Sequence, residues 1–157
     1  MVVRVSETLE VGAVVVRPPW HDFEEAVRGL VHELVARGRL PPDMEEEATH
    51  AVIEREKMAS TALVEIGVSI PHARLDGVNG VIAAVAVSPT AVYYALTTVP
   101  ITIMALVISS PSAAKTGDHL NFLSSLSLLL QSTAVRRALQ NAGTPADVLA
   151  CIRDNER

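Results

Sequence analysis

Five histidines, His21, His32, His50, His72 and His119, are the side chains in this sequence best suited to chemistry near neutral pH. An imidazole with a pKa of ~6.5 is mostly neutral and nucleophilic there. The five are not equivalent. His72 follows Ile70-Pro71 at the end of an apolar run, where proline fixes the backbone and a loop begins, so its ring is expected to emerge at the edge of a sheet. His119 falls in the first turn of a leucine-rich helix, where unpaired N–H groups and the helix dipole favour an anion over an imidazolium. Brought to one pocket, the two would supply what a transferable phosphoryl group needs: one neutral ring nitrogen as nucleophile, and a second imidazole as hydrogen-bond donor to the phosphoryl oxygens. Composition alone leaves open the alternative that the two lie apart and one merely packs. His21, His32 and His50 read as solvated or partly packed side chains on or beside the first two helices.

Other chemistries find little support. No glycine-rich phosphate loop, HExxH or GxSxG string occurs. The single cysteine, Cys151, reads as structural and cannot form an intramolecular disulfide or a usual zinc or iron–sulfur site, which points to a reducing compartment. A metal-dependent hydrolase built on His72 and His119 would lack an acidic ligand at motif spacing, so no metal is expected. With 13 Lys+Arg against 18 Asp+Glu, a net charge of −5 and five aromatic residues, neither nucleic acid nor an anionic membrane surface is an expected partner. The N-terminal stretch carries acids where a secretory signal needs an apolar core, so a cytoplasmic location is expected.

The elements that must position the two histidines follow from patterning. The chain has 157 residues, 49% of them apolar, enough for one domain with a full core spanning 1–157. Residues Gly77 to Ala114 carry no formal charge. Pro89, Pro100 and Pro111 cut that stretch into pieces too short for the ~20 residues of a spanning helix, so Val81–Val87, Ala91–Leu96 and Ile101–Ile108 read as buried strands, with no membrane insertion. A first strand is expected over Val11–Arg17. A helix follows from an Asp22/Glu25 capping box to Gly38, and a second starts at an Asp43 cap, burying Ala48, Ala51, Val52 and Met58. Ser60–Gly67 reads as a connection. Leu120, Leu123, Leu126, Leu129 and Leu130 mark a helix opening near Gly117-Asp118, followed by short helices from Thr133 and from a Thr144 cap. The sum is a single-domain α/β fold, a central mixed sheet flanked by helices.

The string Ser69-Ile70-Pro71-His72-Ala73-Arg74, with Ser60-Thr61 upstream and His119-Leu-x-x-Leu-x-x-Leu downstream, resembles the enzyme IIA domain of the fructose and mannitol class of the phosphoenolpyruvate-dependent sugar phosphotransferase system. The nitrogen-regulatory IIA proteins share that family. The resemblance spans nearly the whole chain. It implies that His72 accepts a phosphoryl group on Nε2 from an HPr-like phosphocarrier, and that a IIB-type domain or a regulated target is the next partner. It also implies that His119 and Arg55 stabilise the group, that Arg74 and Ser60 contribute to binding it, and that no cofactor takes part. A regulatory binding module of the same fold, controlling a transporter, kinase or transcription regulator, is the alternative. The chain departs from the family pattern between Ser60 and His72: the segment is one residue longer, keeps only Gly67, and places Glu65 where its charge is expected near an incoming phosphoryl group.

Overall fold

Alternating side chains in two long strands decide the architecture. The computed structural model describes residues 4–156, with the side chains of all but 114–116. Strands β5 (Val81–Val87) and β8 (Ile103–Ser109) pair antiparallel from Val81 opposite Ser109 to Val87 opposite Ile103. Successive strand residues point to opposite faces. Ile82, Ala84 and Ala86 of β5 therefore join Met104, Leu106 and Ile108 of β8 in one buried cluster. Ala83, Val85 and Val87 join Ile103, Ala105 and Val107 in another. A sheet buried on both faces has no use for charge, which explains the uncharged central stretch.

Helices cover both faces. α2 (Phe23–Ala36) and α3 (Glu45–Met58) close the first, with Leu30, Leu34 and Val52 fully buried. α1 (Val5–Val11), α5 (Asp118–Leu130), α6 (Thr133–Gln140) and α7 (Pro145–Asn155) close the second through Leu9, Phe122, Leu139 and Val148. A short helix α4 (Pro111–Thr116) links β8 to α5. With β1 (Ala13–Val16), β2 (Ala62–Leu63) and β3 (Val68–Ser69), the sheet runs β1-β5-β8-β3-β2, and β4 (His72–Arg74) also pairs with β8. β1 (Ala13–Val16) is parallel to β5, and both β3 (Val68–Ser69) and β4 are parallel to β8, so the sheet is mixed.

The detail around His72 comes from one proline. Ser69 lies opposite Met104 and His72 opposite Val107, the same offset, so β3 and β4 are two halves of one line along β8, interrupted at Ile70-Pro71. Pro71 has no N–H to give the ladder, yet its carbonyl accepts from Val107 N at 3.0 Å. The strand resumes with His72 as its first residue, where a loop was expected.

Other expectations are corrected. Residues 5–11 form a helix, so the first strand begins at Ala13; Gly12 joins the two, close against the Ala83 carbonyl. Asp43 lies in a 3₁₀ turn, Pro42–Met44, and Met44 is the N-cap of α3 without a side-chain cap bond. Met58 is exposed: it is the last residue of α3, beyond Val52, the last residue of that helix to be buried. Ser60–Gly67 is a hairpin, β2 (Ala62–Leu63) against β3, whose turn uses a positive φ of 66° at Gly67. Residues 93–95 and 99–101 pair as β6 (Tyr93–Ala95) and β7 (Val99–Ile101), a separate ribbon outside the main sheet. The Asp22 and Thr144 caps form as expected, accepting from Glu25 N and Asp147 N.

Candidate functional site

Each site residue sits at the end of a regular element. His72 opens β4 and Arg74 ends it, Arg55 stands in the last turn of α3, and His119 is in the first turn of α5. With Ala73 these four side chains line one cleft of about 320 Å³. The rings of His72 and His119 lie 5.4 Å apart, tilted by 56°.

Hydrogen bonds fix both rings. His72 Nδ1 lies 3.1 Å from the Ile70 carbonyl oxygen. A carbonyl can only accept, so Nδ1 carries the proton and Nε2 keeps the free lone pair. His119 Nδ1 is hydrogen-bonded to Ser109 Oγ, on the fully buried last residue of β8. Partial burial holds the His119 pKa below its ordinary value; a charge on the neighbouring His72 ring and the Arg74 and Arg55 guanidiniums all push the same way. It is therefore a neutral ring at pH 7. Neither the Arg55 nor the Arg74 side chain has an ion-pair or hydrogen-bond partner among the described residues; the glutamates flanking Arg55 are engaged elsewhere, Glu54 by Lys57 and Glu56 by Thr61. Two unpartnered guanidiniums beside two imidazoles make a cleft suited to a compact anion.

Ser60 is not in this group. Its hydroxyl donates to Glu56 and accepts from Ala62 N, and it lines a separate groove between α3 and the β6–β7 ribbon. Glu65 sits on the exposed hairpin turn and does not line the cleft. His21, His32 and His50 are exposed, His32 pairing with Glu45. Cys151 is half-buried, its thiol pushed up by burial and by Asp154, which suits a packing role. Among the described residues no group of three His, Cys, Asp or Glu side chains is placed to hold a metal ion, and no helix is long and apolar enough to cross a membrane. Sequence reasoning missed Ser109; its one signal is a hydroxyl closing the apolar run Ile103–Ile108.

The fold is a three-layer α/β/α sandwich that gathers two histidines and two arginines in one cleft. Residues 7–155 match the family model for the phosphoenolpyruvate-dependent sugar phosphotransferase system, EIIA 2, and the chain belongs to that family. It is 34% identical over 131 residues to a fructose-specific EIIA component of Haloferax volcanii, covering 81% of this chain and 82% of the relative. It is 31% identical over 143 residues to a nitrogen regulatory protein of Pseudomonas aeruginosa, covering 90% of each. A third relative, the 2-O-alpha-mannosyl-D-glycerate-specific EIIABC component of Escherichia coli, is 29% identical over 133 residues; the match covers 83% of this chain and only 20% of that protein. In fold the chain is similar to the nitrogen regulatory protein IIA-Ntr of Neisseria meningitidis, with a TM-score of 0.77, 22% identity, and coverage of 94% and 98%. It is also similar to enzyme IIAMTL of Escherichia coli, solved in complex with phosphorylated enzyme IIBMTL, with a TM-score of 0.70, 19% identity, and coverage of 90% and 94%. The resemblance and the mixed α/β sandwich expected from sequence are thereby borne out.

Proposed function

We propose that this chain is a cytoplasmic phosphocarrier whose His72 accepts a phosphoryl group from an HPr-like phosphoprotein and yields it to a IIB-type acceptor. One observation carries the reading: the Ile70 carbonyl holds the Nδ1 proton, leaving the Nε2 lone pair of His72 as the nucleophile in a cleft with two unpaired arginines. The Nε2 pair forms the new N–P bond as the donor's P–N bond breaks, and that bond's electrons return to the donor ring. His72 keeps its Nδ1 proton throughout, so its ring takes up positive charge while Ile70 continues to accept. Arg55 and Arg74 offer forked donors to the phosphoryl oxygens, and His119 supplies a neutral N–H. Such transfer asks the protein mainly for positioning and charge stabilisation.

Docking has a surface beside the cleft. Arg55 lines the cleft while Ile53 and Glu56, on the same helix, line the groove with Phe23, Tyr94 and Leu96. Ser60 lines this groove and not the cleft, its hydroxyl bonded to Glu56.

The similarity to nitrogen regulatory proteins favours a second reading, in which the phosphorylated or free domain signals by binding a target. A chase separates the two. Phosphorylated protein mixed with a IIB-type domain should lose its label to that domain within the mixing time if it is a carrier. Retention of the label, with binding to a target that depends on it, would favour the regulator.

A further inference from the structure

We infer that the two cleft histidines are held in opposite tautomers, and that Ser109 is the positioning residue that sets the one at His119. The inference rests on the phosphocarrier reading for its purpose, though not for its geometry. Ser109 is fully buried at the end of β8, in register with Arg74 on one side and Val81 on the other. Its carbonyl is used by Leu75 N. Its hydroxyl has one partner among the described residues, His119 Nδ1.

A serine hydroxyl has one proton to place. If His119 Nδ1 carried hydrogen, it would donate to Oγ, and the hydroxyl proton would be stranded in a site closed to water. A buried donor left unmade is unfavourable enough to decide between tautomers. The hydroxyl therefore donates to Nδ1, which must be the bare nitrogen, and the His119 proton resides on Nε2. With Nδ1 turned into the protein body, Nε2–H is the edge presented to the cleft shared with His72, Arg55 and Arg74.

The arrangement at His72 is the reverse. There a backbone carbonyl, acceptor only, keeps the proton on Nδ1 and clears Nε2. Two imidazoles 5.4 Å apart thus present unlike edges to the same space, a lone pair from one and an N–H from the other. A phosphoryl group needs that asymmetry, since a second bare lone pair would repel its oxygens. The depressed pKa of His119 agrees with a ring that works as a neutral donor.

The test is two-bond ¹H–¹⁵N correlation NMR on the ¹⁵N-labelled full chain at pH 7.5, which reads tautomers directly, beside the rate of phosphorylation by a phosphorylated HPr. Wild type should show His72 as the Nδ1–H form and His119 as the Nε2–H form. Ser109→Ala should let His119 move toward Nδ1–H, leave His72 unchanged, and slow phosphorylation about tenfold, the order of one hydrogen bond's net worth. Ser109→Thr, which keeps the hydroxyl, should restore both. An Nδ1–H His119 in wild type would overturn the inference, and so would an unchanged His119 tautomer or rate in folded Ser109→Ala. If the wild type takes no phosphoryl group at all, the phosphocarrier reading fails and the wild-type tautomers still decide this one.

Discussion

His72 and Ile70 are tied across Pro71 by a 3.1 Å bond from the imidazole Nδ1–H to the Ile70 carbonyl. The proline break between β3 and β4 creates that bond, because Ile70 stands in the gap between the two strand halves. One ring nitrogen is thereby blocked. Phosphorylated protein should therefore carry the Nε2 isomer of phosphohistidine and not the Nδ1 isomer, a distinction read by ³¹P and ¹⁵N NMR at alkaline pH.

Among the described residues Arg55 has no carboxylate partner, which leaves its charge for the phosphoryl oxygens. Arg55→Gln should lower the rate of phosphoryl transfer by about 10²-fold, the scale seen when one donor to a developing anion is removed. Stability should stay within about 0.5 kcal/mol of wild type, as for an exposed side chain without partners. Arg55→Lys should recover only part of the rate, since an ammonium lacks the fork.

The lowered pKa of His119 makes stability depend on pH in a defined direction. The unfolded chain, with an ordinary value of 6.5, binds the proton before the folded one does. This residue's contribution is present above pH 6.5 and is lost as pH falls through that value toward the lower folded one. Urea midpoints from pH 7.5 to 5 should fall less steeply in His119→Gln than in wild type. Parallel slopes would contradict the assignment.

Gly12 is required by space. A Cβ there would stand 1.9 Å from the Ala83 carbonyl oxygen, a backbone atom of the central strand β5 that cannot step aside. Gly12→Ala should reduce stability by about 1–3 kcal/mol or more, the range for forced overpacking, read as a lower urea midpoint at constant slope.

Much of this was legible in sequence because single residues impose local physics. Asp22 and Thr144 cap their helices through bonds they make within three residues, and Val81–Val87 is a strand because a sheet buried on both faces wants an unbroken apolar run. Helix α1 was hidden, since Val5 and Leu9 become a buried stripe only against β5 and α7. Met58 has the spacing of a core residue, yet it closes α3 beyond Val52, the last residue of that helix to be buried. At the site, His72, His119, Arg55 and Arg74 were legible through residue type and motif, and the cleft brings the four together. Ser109 was not, because its role depends on β8 ending beside the first turn of α5, a contact between elements that no local pattern encodes. Ser60 lies in the neighbouring groove and not in the cleft, for a local reason: Glu56, four residues back on α3, accepts from its hydroxyl.

The most direct test of the phosphoryl acceptor is intact-mass analysis after incubation with phosphoenolpyruvate, enzyme I and HPr, under alkaline conditions that preserve phosphohistidine. Wild type should gain one phosphoryl group, and His72→Ala should gain none while keeping its fold by circular dichroism. An unmodified wild type with a cognate HPr, or a His72→Ala protein that still gains the mass, would contradict the assignment of His72 as the acceptor.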